Sequence, residues 1–452
     1  MKIVIIGGQN GGLSLAKNLR KENSTDEIII VEKLAYMSYV QQAMPYYISG
    51  ELTEEQLMKD EVRTLKEVYN IDVKLTSEVI DIIPNDNEIK VIDTKTSNMF
   101  KITYDKLILS VGTLSKKLDE FNNISENIFI HKNLANAKRL KKYLDKNHPQ
   151  TAAIIGTGKI VLELAENLNK RGIYVNLIQE DEEILKELDS DISKEVEELL
   201  KEYIQIYPNS KITKVSKVGQ IDTKIKIEFN SDIRNVLKVD FVIVCAGYIP
   251  ATKFIKRAGI VTDEQDYIIV NEYMQTNISN IYAIGDVTRI KTNLGINTYS
   301  SNASQAEKHA KIVAYHILNK PIKYKGTTKT NLVEVFGYQI AQTGHTEKEL
   351  EKANIQYYTK IIMGDNGFKE FKHSNKILLK GIFEKGTKRI LGATCIAENG
   401  ADKKIDVLST AIQAEFTALD LIMLELSFIP KLNTVPDIIN ILGERGQEDE
   451  KN

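Results

Sequence analysis

Two glycine-rich runs and one aspartate carry the chemistry this sequence could perform. In "KIVIIGGQNGGLSLAKNL" (Lys2 to Leu19) an apolar run breaks at Gly7, and Gly11 and Gly12 open a helical pattern. Such a turn directs the unpaired N–H groups of a helix start toward a pyrophosphate. Glu32 closes the next apolar run, where a carboxylate accepts hydrogen bonds from a ribose. Gln9 replaces the middle glycine of G-x-G-x-x-G, while Gly8 and Gly11 keep the loop flexible. A second copy, "TAAIIGTGKIVLELAENL" (Thr151 to Leu168), keeps Gly156 and Gly158 but has Val161 at the third glycine position. Gln179 holds the strand-end position and Glu180, Asp181, Glu182 and Glu183 follow it. An amide can still bond a ribose hydroxyl, whereas four acids repel a 2′-phosphate, which favours NADH over NADPH. In "YAIGDV" (Tyr282 to Val287) a strand delivers Asp286 behind Gly285 into a turn, a placement suited to a polyol. From the residues alone, a nucleotide fold without its ligand and an ordinary β-turn aspartate stay open as alternatives.

The elements that must position these groups follow from periodicity. Both runs have the order strand, glycine turn, amphipathic helix, strand, which predicts two Rossmann-like βαβ folds in an α/β chain. "YDKLILSVGT" (Tyr104 to Thr113) and "VDFVIVCAGYIP" (Val239 to Pro250) each read as a strand ending in a tight turn. From about Thr327 the pattern changes to alternating strands with two helices, a third, α+β domain. Its long apolar helix, placed at Ile405 to Leu426, calls for a covering surface, from a partner or from its own chain. The expected domains are 1–112 and 244–326 for the first nucleotide fold, 113–243 for the second and 327–445 for the third. A charged, frayed end is expected in "GERGQEDEKN", with the tail proper at 446–452.

Composition narrows the class. The chain has 452 residues, 42% hydrophobic and 27% charged, with a net charge of −2, so neither disorder nor a nucleic-acid or anionic-membrane partner is implied. The early glycine turn is incompatible with a signal peptide or spanning helix at the N-terminus, so a cytoplasmic location is expected. Cys245 and Cys395 lie far apart without a CxxC spacing, and the six histidines show no HExxH-like pairing, so no metal is expected.

The order of the N-terminal glycine loop, Glu32, "SYVQQAMPYY", "LILSVGT", "IIGTGKIVLELAE", "VCAGYIPAT", "IYAIGDV" and "GADKKIDVLSTAIQ" resembles the flavin-dependent pyridine-nucleotide disulfide oxidoreductases. The similarity is greatest to the branch of coenzyme A disulfide reductases, NADH oxidases and NADH peroxidases. It covers nearly the whole chain, and "GADKKIDVLSTAIQ" is similar to that branch's dimerisation domain. The resemblance implies FAD and NADH as cofactors and a homodimer. It also implies that Gly7, Gly11, Gly12 and Glu32 hold the ADP half of FAD, with Asn10, Lys33 and Val79 also counted at the cofactor. Ser110 to Gly112 would lie along the flavin nucleotide, Asp286 beside Gly285 would bond the ribityl chain, and Ala303 would approach the flavin ring. Gly156, Gly158 and Glu163 match the pyridine-nucleotide site, and Gly247 with Pro250 a loop beside it.

One departure governs the expected chemistry. In the family a cysteine follows Ser, aromatic and two variable residues; here Ser38, Tyr39, Ala43, Met44, Pro45 and Tyr46 fit and Gln42 takes its place. Asn10, Lys159 and Phe428 depart from the family's histidine, gating aromatic and partner-subunit tyrosine in the same direction. An amide is not a nucleophile for disulfide or peroxide reduction. The expectation is therefore an FAD enzyme that takes hydride from NADH and passes electrons to oxygen or another acceptor without a cysteine cycle. The alternatives are an FAD-bearing scaffold or regulatory protein that has abandoned catalysis, and a true coenzyme A disulfide reductase in which Arg20, Lys21 and Arg63 meet coenzyme A phosphates.

Overall fold

The computed structural model describes all residues except 23–24, 59–61, 122–125, 220–223, 300–301, 372–373 and 449–452. The chain divides into two compact units, one of Met1–Lys116, Lys132–Ala137 and Gly247–Thr327, the other of Lys117–His131, Lys138–Ala246 and Thr328–Asn452.

In the first unit five parallel strands lie in the order Ile281–Ala283, Lys106–Leu109, Lys2–Ile6, Glu27–Val31, Ile71–Lys74. The N-terminal strand sits in the middle because its side chains are apolar on both faces, as a covered parallel strand requires. Ile3 and Ile5 pack with Leu15 and Leu19 of the Asn10–Glu22 helix and with Val313 of the Ala303–Ile317 helix. The alternate residues, Val4 and Ile6, join Val79, Ile89 and Leu107 on the other face. An antiparallel sheet of Ser77–Ile83, Glu88–Asp93 and Met99–Thr103 completes that side.

The second unit repeats this plan with parallel strands in the order Gln205–Tyr207, Tyr174–Ile178, Thr151–Ile155, Phe241–Val244, Ile128–Ile130. It also holds a five-stranded antiparallel sheet ordered Asn331–Val335, Tyr338–Gly344, Ile390–Ala397, Asn375–Glu384, Tyr357–Asn366. The mixed α/β class and both βαβ units are as the periodicity predicts.

Three expectations need correction. The apolar stretch Ile405 to Leu426 is not one helix: Ala401–Gln413 is followed by Ala414 as its C-cap and by Glu415, whose φ is +58°, and Ala418–Ile422 restarts behind a Thr417–Asp420 capping box. A residue at positive φ cannot continue a right-handed helix, and the capping box satisfies the first N–H groups of the next one. Ile405, Leu408, Ile412 and Leu421 are buried within the unit, so this apolar face needs no partner. The frayed end begins later than expected, because Ile438–Gln447 is helical with Gly443 and Gly446 buried; only 449–452 fall outside the described residues. Finally, among the described residues four helices accompany the C-terminal sheet rather than two, Glu347–Lys352, Ala401–Gln413, Ala418–Ile422 and Ile438–Gln447.

Candidate functional site

The first glycine loop is built around close backbone approach. Gly7 has φ +102°, and a Cβ there would lie 2.2 Å from the Ser110 carbonyl oxygen; a Cβ on Gly12 would lie 1.9 Å from the Gly7 oxygen. Only glycine fits either position, and the loop feeds directly into the Asn10–Glu22 helix, with Asn10 at its first turn. Glu32 is buried, its two carboxylate oxygens accepting N–H bonds from Gly8 (2.8 Å) and Leu34 (2.9 Å). Burial raises its pKa while those N–H bonds oppose the rise, so the group is fixed beside the loop with lone pairs to spare for a ribose. The Gln9 side-chain nitrogen is buried without a partner in this loop, a donor awaiting an acceptor. These features fit a dinucleotide at this end of the sheet.

The Gly285 turn and the start of the Ala303–Ile317 helix lie at the same loop. Gly285–Val287 forms a short 3-10 turn directly after the strand Ile281–Ala283, carrying Asp286. Ala306 lies under both loops: a Cβ on Gly11 would be 3.5 Å from its Cβ, and one on Gly285 3.6 Å. Ala303 starts this helix, capped by Asn302, whose Oδ1 accepts the Ser304 N–H at 3.0 Å. Gly112 has φ +63° and open space where a Cβ would stand. Lys33 is exposed at the strand end. The Val79 side chain belongs to the core, leaving only its backbone, beside an irregularity between Val79 and Asp81, to meet a ligand.

Gln42 is exposed in the short turn Gln41–Ala43 that leads into the helix Met44–Ser49. The loop is held from beneath: Tyr39 is buried edge-on against Tyr36, and Ser38 is buried at φ +62°, a backbone region seldom adopted by residues other than glycine. The Gln41 side-chain amide donates to the Lys132 carbonyl oxygen at 2.9 Å. Lys132 was not evident from sequence. Its ammonium donates to Thr113 Oγ1 (2.8 Å), lies 4.1 Å from the centre of the Tyr248 ring, and feels the Asp286 carboxylate; burial lowers its pKa.

In the second unit Gly156 has φ +145°, and a Cβ would come 2.3 Å from the Cys245 carbonyl oxygen. Gly158 caps the helix Lys159–Asn169 with open space beside it. Val161 is fully buried, so this helix packs through a side chain where the glycine pattern would bring backbones together. Burial pushes the Glu163 carboxyl up to about 7, against the pull of Lys159, and Lys159 itself donates to Asn331 Oδ1 at 3.2 Å. Gln179 is buried, its nitrogen bonded to the Asp181 carbonyl (3.1 Å) and its oxygen without a partner, a vacant acceptor at the ribose position. Of the following acids, Glu183 pairs with Lys348 (2.6 Å) and Asp181 with Lys186 (3.5 Å), while Glu180 and Glu182 are exposed. Gly247, at φ +96°, belongs to the first unit, where its carbonyl accepts the Lys116 N–H at 2.9 Å and Tyr248–Pro250 pairs with Thr113–Ser115.

Neither cysteine is poised for thiol chemistry. Cys395 is fully buried in the strand Ile390–Ala397, and burial pushes its thiol up to about 12. Cys245 keeps part of its surface exposed, yet its sulfur is enclosed enough for burial to push that thiol up to about 12 as well. Among the described residues one carboxylate group could share a cation, Asp189, Asp191 and Glu347, and the Lys380 ammonium already bonds all three.

Two glycine turns, each on a parallel βαβ unit, and a five-stranded antiparallel sheet define the class: two Rossmann-like folds with an added α+β domain. Residues 1–310 match the pyridine nucleotide-disulphide oxidoreductase family model, and residues 331–437 match the dimerisation domain of the same family. The chain belongs to the pyridine nucleotide-disulphide oxidoreductases, flavoproteins that use pyridine nucleotides. It is 30% identical to the coenzyme A disulfide reductase of Staphylococcus haemolyticus, over 99% of both chains. It is 31% identical to that of Staphylococcus epidermidis over 99% of this chain and all of the relative. Among solved structures it is similar to reduced Bacillus anthracis CoADR-RHD, with TM-score 0.93 and 31% identity, covering 98% of this chain and 80% of that one. It is also similar to an NAD-dependent persulfide reductase from A. fulgidus, with TM-score 0.92 and 26% identity, covering 98% and 83%. Among the described residues no helix is long and apolar enough to cross a membrane.

Proposed function

We propose that this protein is a homodimeric FAD enzyme that oxidises NADH and delivers the electrons to oxygen or another acceptor without a cysteine redox cycle. The observation that carries the reading is the contrast between the close-packed glycine turns at Gly7, Gly12 and Gly156 and the two thiols, each pushed up to about 12 by burial, while an exposed amide, Gln42, stands at the expected cysteine position. When bound, FAD supplies two-electron chemistry, taking a hydride from the nicotinamide and passing electrons on. The chain's own part is to bind and orient: the Gly7 and Gly12 loop and Glu32 for the adenosine half, Ser110, Gly112 and Asp286 for the flavin half, and Gly156, Gly158, Glu163 and Gln179 for NADH. The unpartnered Gln179 oxygen accepts a ribose hydroxyl but would repel a 2′-phosphate, which supports NADH over NADPH. Exposed Phe428, Ile429, Leu432 and Val435 in the dimerisation domain supply apolar surface for a second copy. With no thiol to reduce peroxide further, the product from oxygen is hydrogen peroxide rather than water.

Anaerobic titration of the FAD-loaded protein with NADH, followed by flavin absorbance at about 450 nm, tests this. Bleaching at stoichiometric NADH is expected. An unchanged spectrum with FAD bound would overturn the proposal in favour of a flavin-bearing scaffold. A second reading, reduction of coenzyme A disulfide, is favoured by the relatives at 30–31% identity over the full chain. Against it, the Arg20 guanidinium is committed to the Asp26 and Asn70 carbonyls and Arg63 to Glu67. Turnover of coenzyme A disulfide with NADH would revive that reading.

A further inference from the structure

The helix Ala303–Ile317 carries a histidine that the sequence pattern gives no reason to expect. His309 lies on the buried face of that helix, only 1% exposed, among residues that are small or apolar apart from Gln305. Its Nδ1 lies 3.2 Å from the Gly285 backbone nitrogen. The terminal amide of Gln305 lies 3.2 Å from its Nε2 and also meets the Tyr324 hydroxyl. The Tyr324 ring stands edge-on to the imidazole, with centroids 5.1 Å apart.

Donor and acceptor requirements leave one arrangement. A backbone N–H can only donate, so His309 Nδ1 is an unprotonated acceptor. A neutral ring then carries its hydrogen on Nε2, and that hydrogen needs an acceptor. An amide's oxygen and nitrogen are alike in shape, and here the oxygen of Gln305 must face the ring to receive His309 Nε2–H, with the Tyr324 hydroxyl, which also meets Thr327, beside the same amide. The imidazole cannot take a second proton without giving up its bond to Gly285. Burial enforces this, pushing the His309 pKa down to about 3.

The Gly285 N–H held by this chain opens the turn that carries Asp286. Gly285 has φ +76°, and its carbonyl accepts the Thr288 hydroxyl at 2.8 Å, so both backbone groups of the glycine are tied. We propose that His309, as its neutral Nε2–H tautomer braced by Gln305 and Tyr324, is a positioning residue that holds the Gly285–Asp286 turn in the geometry the flavin nucleotide requires. The assignment rests on the reading that the first unit holds FAD. His309 does not touch the cofactor; it acts through the backbone of Gly285.

The test compares full-length wild type, His309→Leu and His309→Gln, each stripped and reconstituted with FAD, reading FAD affinity by flavin fluorescence, the visible circular dichroism of bound flavin, and thermal unfolding of the apoprotein. Leucine removes the acceptor and leaves a buried N–H unpaired, so FAD affinity should fall about tenfold or more with an altered flavin dichroism. Glutamine restores a neutral acceptor and should bring affinity back to within about threefold of wild type. Equal FAD affinity and dichroism in wild type and His309→Leu, with only apoprotein stability reduced, would overturn the assignment and leave His309 a packing residue. If His309→Leu does not fold, Gln305→Leu removes the acceptor for Nε2–H while keeping the ring, and it should also weaken FAD binding; unchanged affinity there would overturn the proposal. Wild-type protein that takes up no FAD is a distinct result, overturning the cofactor reading itself.

Discussion

Replacing Lys380 by methionine should cost the second unit a large part of its stability, and by an amount that depends on pH. Lys380 is 1% exposed at the middle of the Asn375–Glu384 strand. Its ammonium lies 2.7 and 2.8 Å from the two oxygens of Asp191, 3.1 Å from Asp189 and 2.5 Å from Glu347. Asp189 is itself 3% exposed, and its other oxygen accepts the Glu347 N–H at 2.8 Å, which ties the helix Glu347–Lys352 to the loop before Ser190–Leu200. Methionine fills the same space without charge, so the loss is electrostatic. Breaking a buried ion pair from one side costs about 3–5 kcal/mol. Asp191 and Glu347 are partly exposed and can rehydrate, which points to the lower end, about 3 kcal/mol. For a unit of this size that is a fall in Tm of about 6 °C or more.

The pH dependence follows from Asp189. Burial already raises its carboxyl pKa, with Lys380 pulling the other way. Without the ammonium the folded-state pKa rises further, and an acid whose folded pKa is raised destabilises the fold at pH values above its unfolded pKa. The penalty of Lys380→Met is therefore largest near about pH 8 and shrinks as the pH is lowered and Asp189 takes a proton. Adding Asp189→Asn should reduce the penalty at about pH 8 to about 1 kcal/mol. Calorimetric and urea unfolding of the four proteins of this cycle provide the measurement. A Lys380→Met loss below about 1 kcal/mol at about pH 8, or one that does not change with pH, would refute the reasoning.

Other consequences are equally direct. Gly12→Ala places a Cβ 1.9 Å from the Gly7 carbonyl oxygen, so FAD affinity should drop more than about tenfold and stability by about 1–3 kcal/mol; a variant that retains FAD normally would show that the loop is not the cofactor cradle. Glu163→Gln should stabilise the protein at alkaline pH by at most about 3 kcal/mol and leave it unchanged near about pH 4, because a carboxyl raised to about 7 by burial costs stability above its unfolded pKa. Thermal unfolding across that range checks the sign, and a Tm gain largest in acid would contradict it. With both thiols pushed to about 12, native wild type should show no fast-reacting cysteine, its thiolate fraction being about a thousandfold below that of a free thiol. Gln42→Cys, exposed in its turn, should show one; a rapid thiol in the wild type would reopen cysteine chemistry.

The sequence by itself determined the nucleotide folds and the position of the loops. Steric necessity at Gly12 against the Gly7 carbonyl and the two-residue alternation of Val4 and Ile6 against Ile3 and Ile5 are local, and local constraints are written in the order of residues. That Gln42 stands where the resemblance implies a cysteine was legible for the same reason, since the residue at a position is a fact of the sequence. Tertiary structure alone decided that Glu415 breaks the apolar C-terminal run, because a positive φ depends on where the next helix must pack. It alone brought Lys132 to Thr113, Lys380 to Asp189 and His309 to Gly285, across separations of 19, 191 and 24 residues along the chain. Buried polar groups acquire meaning only from their partners, and those partners are chosen by the fold rather than by spacing along the chain.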